Sequence, residues 1–185
     1  MNADSMRPIR FSTSIAYCDR RHWLTEGDIR VLLDRLPVET YQRLRAVHFN
    51  DQSRGVRVLG YVNRGRREIA ICALAPRVSL SRFLVRGQSP TNFGARRGSQ
   101  WPKLAVRRFM LYDVFLHELG HLQVVNSRSA EVRRRFAMER FAQEFADYWR
   151  CTLWGRHFDH PDPVHNAPVD EEFIDSTPTS VTRGK

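Results

Sequence analysis

The chain has 185 residues, 42% hydrophobic and 27% charged, which fits one globular domain with or without a tail and argues against disorder throughout. Thirty Lys+Arg against twenty Asp+Glu give a net charge of +10, and every base except Lys103 and Lys185 is an arginine. That balance points to an anionic partner, nucleic acid first, although so lopsided an arginine skew also follows from nucleotide bias.

No apolar h-region follows a basic start in residues 1–20, so no secretory signal is expected. The most apolar stretch, 104–125, carries Arg107, Arg108, Asp113, His117, Glu118 and His121, which excludes a membrane span. Cys18, Cys72 and Cys151 are odd in number and widely spaced, with neither a disulfide framework nor a Cys-x-x-Cys pair. A cytoplasmic protein is the expectation.

Along the chain, Thr25 and Asp28 form a capping-box pattern, and Ile29, Leu32, Leu33 and Leu36 recur at helical spacing up to Pro37. Val38 to Leu44 reads as the start of a second helix. Three strands follow, Arg45 to Phe49, Val56 to Val62 and Glu68 to Leu74, with Asn63-Arg64-Gly65-Arg66 as a hairpin turn. Five Gly and Pro residues make 80–103 a long loop. Helical patterns then run from Pro102 to about Asn126 and from Ser129 to about Trp154. The Pro- and Asp-rich end of the chain reads as a tail, 156–185, that packs partly at most, behind a domain of residues 1–155. Six of the twenty acids lie in that tail, so residues 1–156 form a body of +14.

The chemistry concentrates in His117-Glu118-Leu119-Gly120-His121. On a helix, residues i and i+4 share a face, so both imidazoles reach one metal ion. Glu118 points about 100° away, placed to take a proton from a metal-bound water as a general base. Phe109, Met110, Leu111, Val114, Phe115, Leu116, Leu119, Leu122, Val124 and Val125 surround the motif. A helix apolar on all sides is buried, and buried His and Glu need partners, which a metal supplies.

A catalytic zinc takes three protein ligands. Val124 and Ser127 stand where a metzincin needs Gly and His, so the third ligand is expected on the next helix. At 1.5 Å per residue the two His lie about 10 Å back from a turn at 126–128, and Glu139 about 15 Å along the return helix. Glu139 also falls within the apolar stripe Val132, Phe136, Ala142, Ala146, Trp149 and Leu153, and Glu144 on the polar side. Glu139 ranks first, with Glu144, Glu131, His157, His160 and His165 as alternatives.

HELGH followed by Glu139-Arg-Phe-Ala142-Gln-Glu-Phe145-Ala146 resembles the gluzincin metallopeptidases. The spacing is similar to the E-x-x-A-x-x-F-A run of ImmA/IrrE-type peptidases and very small gluzincins. The resemblance implies zinc on His117, His121 and Glu139, with Glu118 as general base. It also implies an α+β, zincin-like fold: a small, mostly antiparallel sheet whose edge strand receives the peptide, then a buried active-site helix and a second ligand-bearing helix. Two positions depart from the pattern. Gln143 stands where many gluzincins carry an Asp that orients a His, and Asp147-Tyr148-Trp149-Arg150 replaces a Leu-Leu-x-Pro ending.

Asp113, Gln143 and Asp147 are candidates to orient the ligating His, and Tyr148, His157, His160 and His165 to stabilise an oxyanion. The three thiols lack the setting of nucleophiles. Arg96-Arg97, Lys103, Arg107-Arg108 and Arg133-Arg134-Arg135, with Phe93 and Trp101 nearby, could bind single-stranded nucleic acid, but a solvated arginine-rich surface is the preferred reading. The expected function is zinc-dependent hydrolysis of a peptide or protein substrate, with 80–103 and the tail able to cover the cleft. The alternative is a nucleic-acid-associated protein with a structural metal.

Overall fold

A computed structural model describes residues 8–17, 19–53, 58–98, 100–124 and 132–169, the side chains of 132–135 excepted. The fold is α+β. Strands β1 (Arg10–Thr13), β2 (Ala46–Asn50), β3 (Gly60–Asn63) and β4 (Glu68–Cys72) form one sheet in the order β1-β2-β4-β3. β1 pairs parallel with β2 and β2 parallel with β4, while β3 alone runs antiparallel, against β4. The expected, mostly antiparallel sheet is therefore a mixed one with two parallel pairs. The hairpin at 64–67 supplies the antiparallel pair. Helix α1 (Glu26–Asp34) lies between β1 and β2 in the chain and serves as the crossover that a parallel pair needs.

α1 starts at the expected capping box: the Thr25 hydroxyl accepts from the Asp28 amide at 3.2 Å and the Asp28 carboxylate from the Thr25 amide at 2.8 Å. Ile29, Leu32, Leu33 and Leu36 are buried. The helix expected from Val38 is a single 3₁₀ turn, Val38–Thr40. β3 starts later than expected, at Gly60; the first two residues of that prediction, 56–57, lie outside the described residues. The loop 80–103 is ordered by two 3₁₀ turns, Ser81–Phe83 and Pro90–Phe93, with Leu80, Phe93 and Trp101 buried.

One helical run then crosses the core: α2 (Lys103–Phe109), a π turn (Met110–Phe115) and α3 (Leu116–Gln123). Its backbone stays right-handed through both joints, at Met110 and Leu116. The run is buried nearly all round, as its composition requires, and ends at Val124 in an extended conformation. α4 (Val132–Gly155) packs along α3. Phe136, assigned to the stripe of α4, is instead 72% exposed, while Ala142, Ala146 and Leu153 are buried.

Residues 156–169 pack more closely than a tail. Val164 and His165 are buried. Asp162 takes two hydrogen bonds from Arg107, at 3.0 and 2.7 Å, and Arg35 donates to the His165 carbonyl at 3.0 Å. No helix among the described residues is long and apolar enough to cross a membrane.

Candidate metal centre

Two close approaches bring the sheet edge and α4 onto α3. A Cβ on Gly60 of β3 would meet Val114 Cγ1 at 2.9 Å and Glu118 Cγ at 3.3 Å. A Cβ on Gly120 would meet Ala142 Cα at 2.9 Å and the Ala142 carbonyl at 3.1 Å. Glycine at these two points lets β3 lie against Glu118, and lets α4 bring Glu139 within reach of α3.

The three side chains ranked first from the sequence converge. His117 Nε2 and His121 Nε2 are 3.1 Å apart, and Glu139 Oε2 lies 3.3 Å from the first and 3.5 Å from the second. Four ligands held tetrahedrally at 2.0–2.1 Å from a zinc-like ion stand about 3.3–3.4 Å from one another. The donor triangle has the edges of such a site, and its two imidazoles and one carboxylate have the right chemistry. Among the described residues no other group of three His, Cys, Asp or Glu side chains is gathered for a metal.

The alternatives lie elsewhere. Glu144 is exposed and accepts from Arg140 at 2.7 Å. Glu131 is outside the described residues. His160 and His165 pair with each other, ring centroids 4.5 Å apart, and His165 sits 3.8 Å from Asp28. His157 lines a separate hollow with Arg35 and Phe158. Tyr148 is 62% exposed. Neither it nor these three His lines the cleft at the donor triangle.

That cleft, about 410 Å³, is lined by Leu59 and Gly60 at the start of β3, by Phe83 and Val85 of the long loop, and by Val114, His117, Glu118 and Glu139 among others. Burial, and then the charge of Glu139, push the Glu118 carboxyl up to about 8. A cation among the three donors acts in the opposite sense. Burial and the neighbouring His117 hold His121 down to about 4, so its ring is neutral.

The proton pattern follows from the neighbours. Arg64, in the β3–β4 hairpin, has Nη2 3.1 Å from His121 Nδ1. A guanidinium only donates, so Nδ1 accepts and His121 Nε2 carries the proton given to His117 Nε2. Coordination through His121 Nε2 requires the neutral ring to carry its proton on Nδ1 instead, with Arg64 Nη2 turned aside. His117 Nδ1 lies 3.2 Å from Gln143 Oε1, and Gln143 Nε2 donates to Asp113 Oδ1 at 3.0 Å. Two candidates for orienting a ligand, Gln143 and Asp113, thus stand in series behind His117. The third, Asp147, joins them through Arg150 and Gln88.

The sequence reading missed Arg64 and Gln88. Arg64 carried only a turn signal, and Gln88 sits in a loop without periodicity. Of the nucleic-acid candidates, Arg96, Arg97 and Lys103 are exposed, while the aromatics and Arg107-Arg108 are internal or paired. Phe93 and Trp101 are buried with rings stacked at 6.1 Å, Arg108 is 1% exposed, and Arg107 is held by Asp28 and Asp162. Cys72 is buried, which pushes its thiol up to about 11. Cys18 and the side chains of Arg133 to Arg135 lie outside the described residues.

No family model, curated protein or solved structure matches the chain.

Proposed function

We propose that this chain is a metal-dependent peptidase of zincin type, with His117, His121 and Glu139 as ligands and Glu118 as general base. The observation that carries the reading is the donor triangle, with edges of 3.1, 3.3 and 3.5 Å, opening on a cleft that Glu118 also lines. A zinc-like ion bound there acts as a Lewis acid towards a carbonyl oxygen and makes water more acidic.

The protein's own groups do the rest. β3 is a sheet edge beside Glu118, and an extended peptide can add to it through main-chain hydrogen bonds. Glu118, buried and a neighbour of the triangle, accepts the proton of the attacking water and delivers it to the leaving amine. Phe83, Val85 and Val114 exclude solvent from one side of the cleft. The buried Phe93 and Trp101 offer no stacking platform to a nucleic acid, which weighs against the alternative reading.

The test is metal content by mass spectrometry, with cleavage of a mixed peptide library, for the native chain, His117→Ala and Glu118→Gln. Native protein should carry one transition-metal ion per chain and cleave peptides. His117→Ala should lose both properties. Glu118→Gln should keep the ion and lose about 10²–10⁴-fold in rate. A native chain purified without chelator that holds no ion would end the proposal. A structural metal would show as an ion held by the native chain and by Glu118→Gln with no cleavage by either.

A further inference from the structure

Asp113 lies in the π turn one helical turn before His117, 5% exposed, and its Oδ1 gathers three donors. Gln88 Nε2 is at 2.7 Å, Gln143 Nε2 at 3.0 Å and Arg150 Nη1 at 3.2 Å. Gln88 also donates to Asp147 at 3.0 Å, and Arg150 to Asp147 at 2.6 Å. Five side chains from the long loop, the π turn and α4 therefore meet beside the candidate metal centre, with Gln143 where many gluzincins carry an Asp.

The bonding rules of these groups give them an order. Burial raises the Asp113 pKa, but the donors from Gln88 and Gln143 and the Arg150 guanidinium on Oδ1 oppose that and hold the carboxylate ionised. An ionised carboxylate only accepts, so the Gln143 amide must present its NH₂ to Asp113. Its oxygen then faces His117, and since an amide oxygen cannot donate, His117 Nδ1 must carry the ring proton. That leaves His117 Nε2 as a bare lone pair, aimed at Glu139 Oε2 and His121 Nε2. An amide at position 113 breaks the sequence, because it can donate as well as accept and no longer dictates the facing of Gln143.

We propose that Asp113 is the positioning carboxylate of the centre, acting on His117 through the Gln143 amide. The proposal rests on the reading of His117, His121 and Glu139 as metal ligands. The same carboxylate also fixes the cleft wall. Gln88, held by Asp113, accepts from the Val85 amide at 3.2 Å, and Val85 lines the cleft. Ligand orientation and the shape of the substrate wall share one anchor.

The experiment measures Zn²⁺ affinity of the full chain by competition with a chromophoric chelator, with thermal midpoints in parallel. Asp113→Asn should bind Zn²⁺ about 10–100-fold more weakly than native. Adding Gln143→Glu should restore affinity to within about threefold, because a carboxylate then stands directly on Nδ1 and the new amide at position 113 supplies its donor. In a Gln143→Leu background, Asp113→Asn should make no further difference to affinity.

Native-like affinity in Asp113→Asn overturns the relay, as does a loss of equal size with or without Gln143, or a swapped chain that stays more than tenfold weak. A role confined to stability would lower the midpoints without rescue by the swap. Should Asp113→Asn fail to fold, the swapped chain decides alone, and loss of fold in both leaves Asp113 a structural part only and overturns the relay. Native protein that binds no Zn²⁺ removes the metal reading itself, whereas native binding with unchanged variants removes only the relay.

Discussion

Gly120 is a point of close approach between the two helices that carry the donors. A Cβ there would stand 2.9 Å from Ala142 Cα, 3.1 Å from the Ala142 carbonyl and 3.2 Å from Phe145 Cβ. Two of these neighbours are backbone, so no side chain can swing aside. Ordinary contact needs about 3.5 Å, so Gly120→Ala must part α3 and α4 locally by about 0.6 Å. Overpacking of this kind costs about 1–3 kcal/mol, and alanine returns about 0.5–1 kcal/mol of helix propensity. The net expectation is a loss of about 1–2 kcal/mol, or about 2–8 °C in thermal midpoint for a chain of this size. The displacement also exceeds the roughly 0.2 Å tolerance of metal–ligand distances, so Zn²⁺ affinity should fall about tenfold or more. Gly27→Ala is the control. It sits in α1, exposed, and its Cβ would meet only Thr25 Oγ1 at an ordinary 3.5 Å. The same substitution there should be neutral or stabilising. Differential scanning calorimetry and chelator competition on both variants decide the matter. A Gly120→Ala chain that melts at or above the native midpoint and binds Zn²⁺ unchanged would refute the close-packing argument.

Two further outcomes concern the segment after α4. Truncation after Gly155 removes the buried Val164 and His165 and takes Asp162 from Arg107, so stability should fall by at least about 3 kcal/mol by denaturant unfolding. A truncated chain as stable as native would show that 156–169 is a dispensable appendage. His165 should also make the fold acid-sensitive. Burial, then the neighbouring His160, hold its imidazole down to about 4. A pKa lowered in the folded state gives stability that is complete above the unfolded value near 6.5 and lost as pH falls towards 4. The loss should amount to about 2–3 kcal/mol across that window. His165→Phe should flatten this part of the stability curve, and an unchanged slope would exclude His165 as its source.

How far the sequence carried depends on whether each signal was local. His117, Glu118 and His121 were legible because a helix of known pitch fixes their mutual placement. Glu139 was legible by level along the return helix, and it meets the two histidines although its side chain is 55% exposed and Phe136 nearby faces outward. The apolar stripe used to choose it was thus partly mistaken, and the axial spacing was the sound part of the argument. β1 was not legible. It is four residues long, mostly exposed, and exists by pairing with β2 across 36 residues. Its parallel pairing follows from the α1 crossover, which no period-2 pattern records.

The roles of individual arginines were no more legible. Arg107 serves Asp28 and Asp162, Arg35 holds the Leu153 and His165 carbonyls together, and Arg150 joins Asp113 to Asp147. These arginines act as multi-pronged internal donors, a use that lysine, with one compact ammonium, does not match. They do not account for the basic excess, since Arg107 and Arg150 face two aspartates each; what they provide is a guanidinium that bridges acceptors from separate elements. Asp113 shows why such roles escape a linear reading. In sequence it is one polar residue four positions before His117, as consistent with solvent as with function. Its meaning depends on the π turn that carries it, on Gln143 arriving from α4 and on Gln88 arriving from a loop 25 residues earlier. Only when the three elements meet does the carboxylate acquire a direction, and through the Gln143 amide that direction ends at the lone pair of His117.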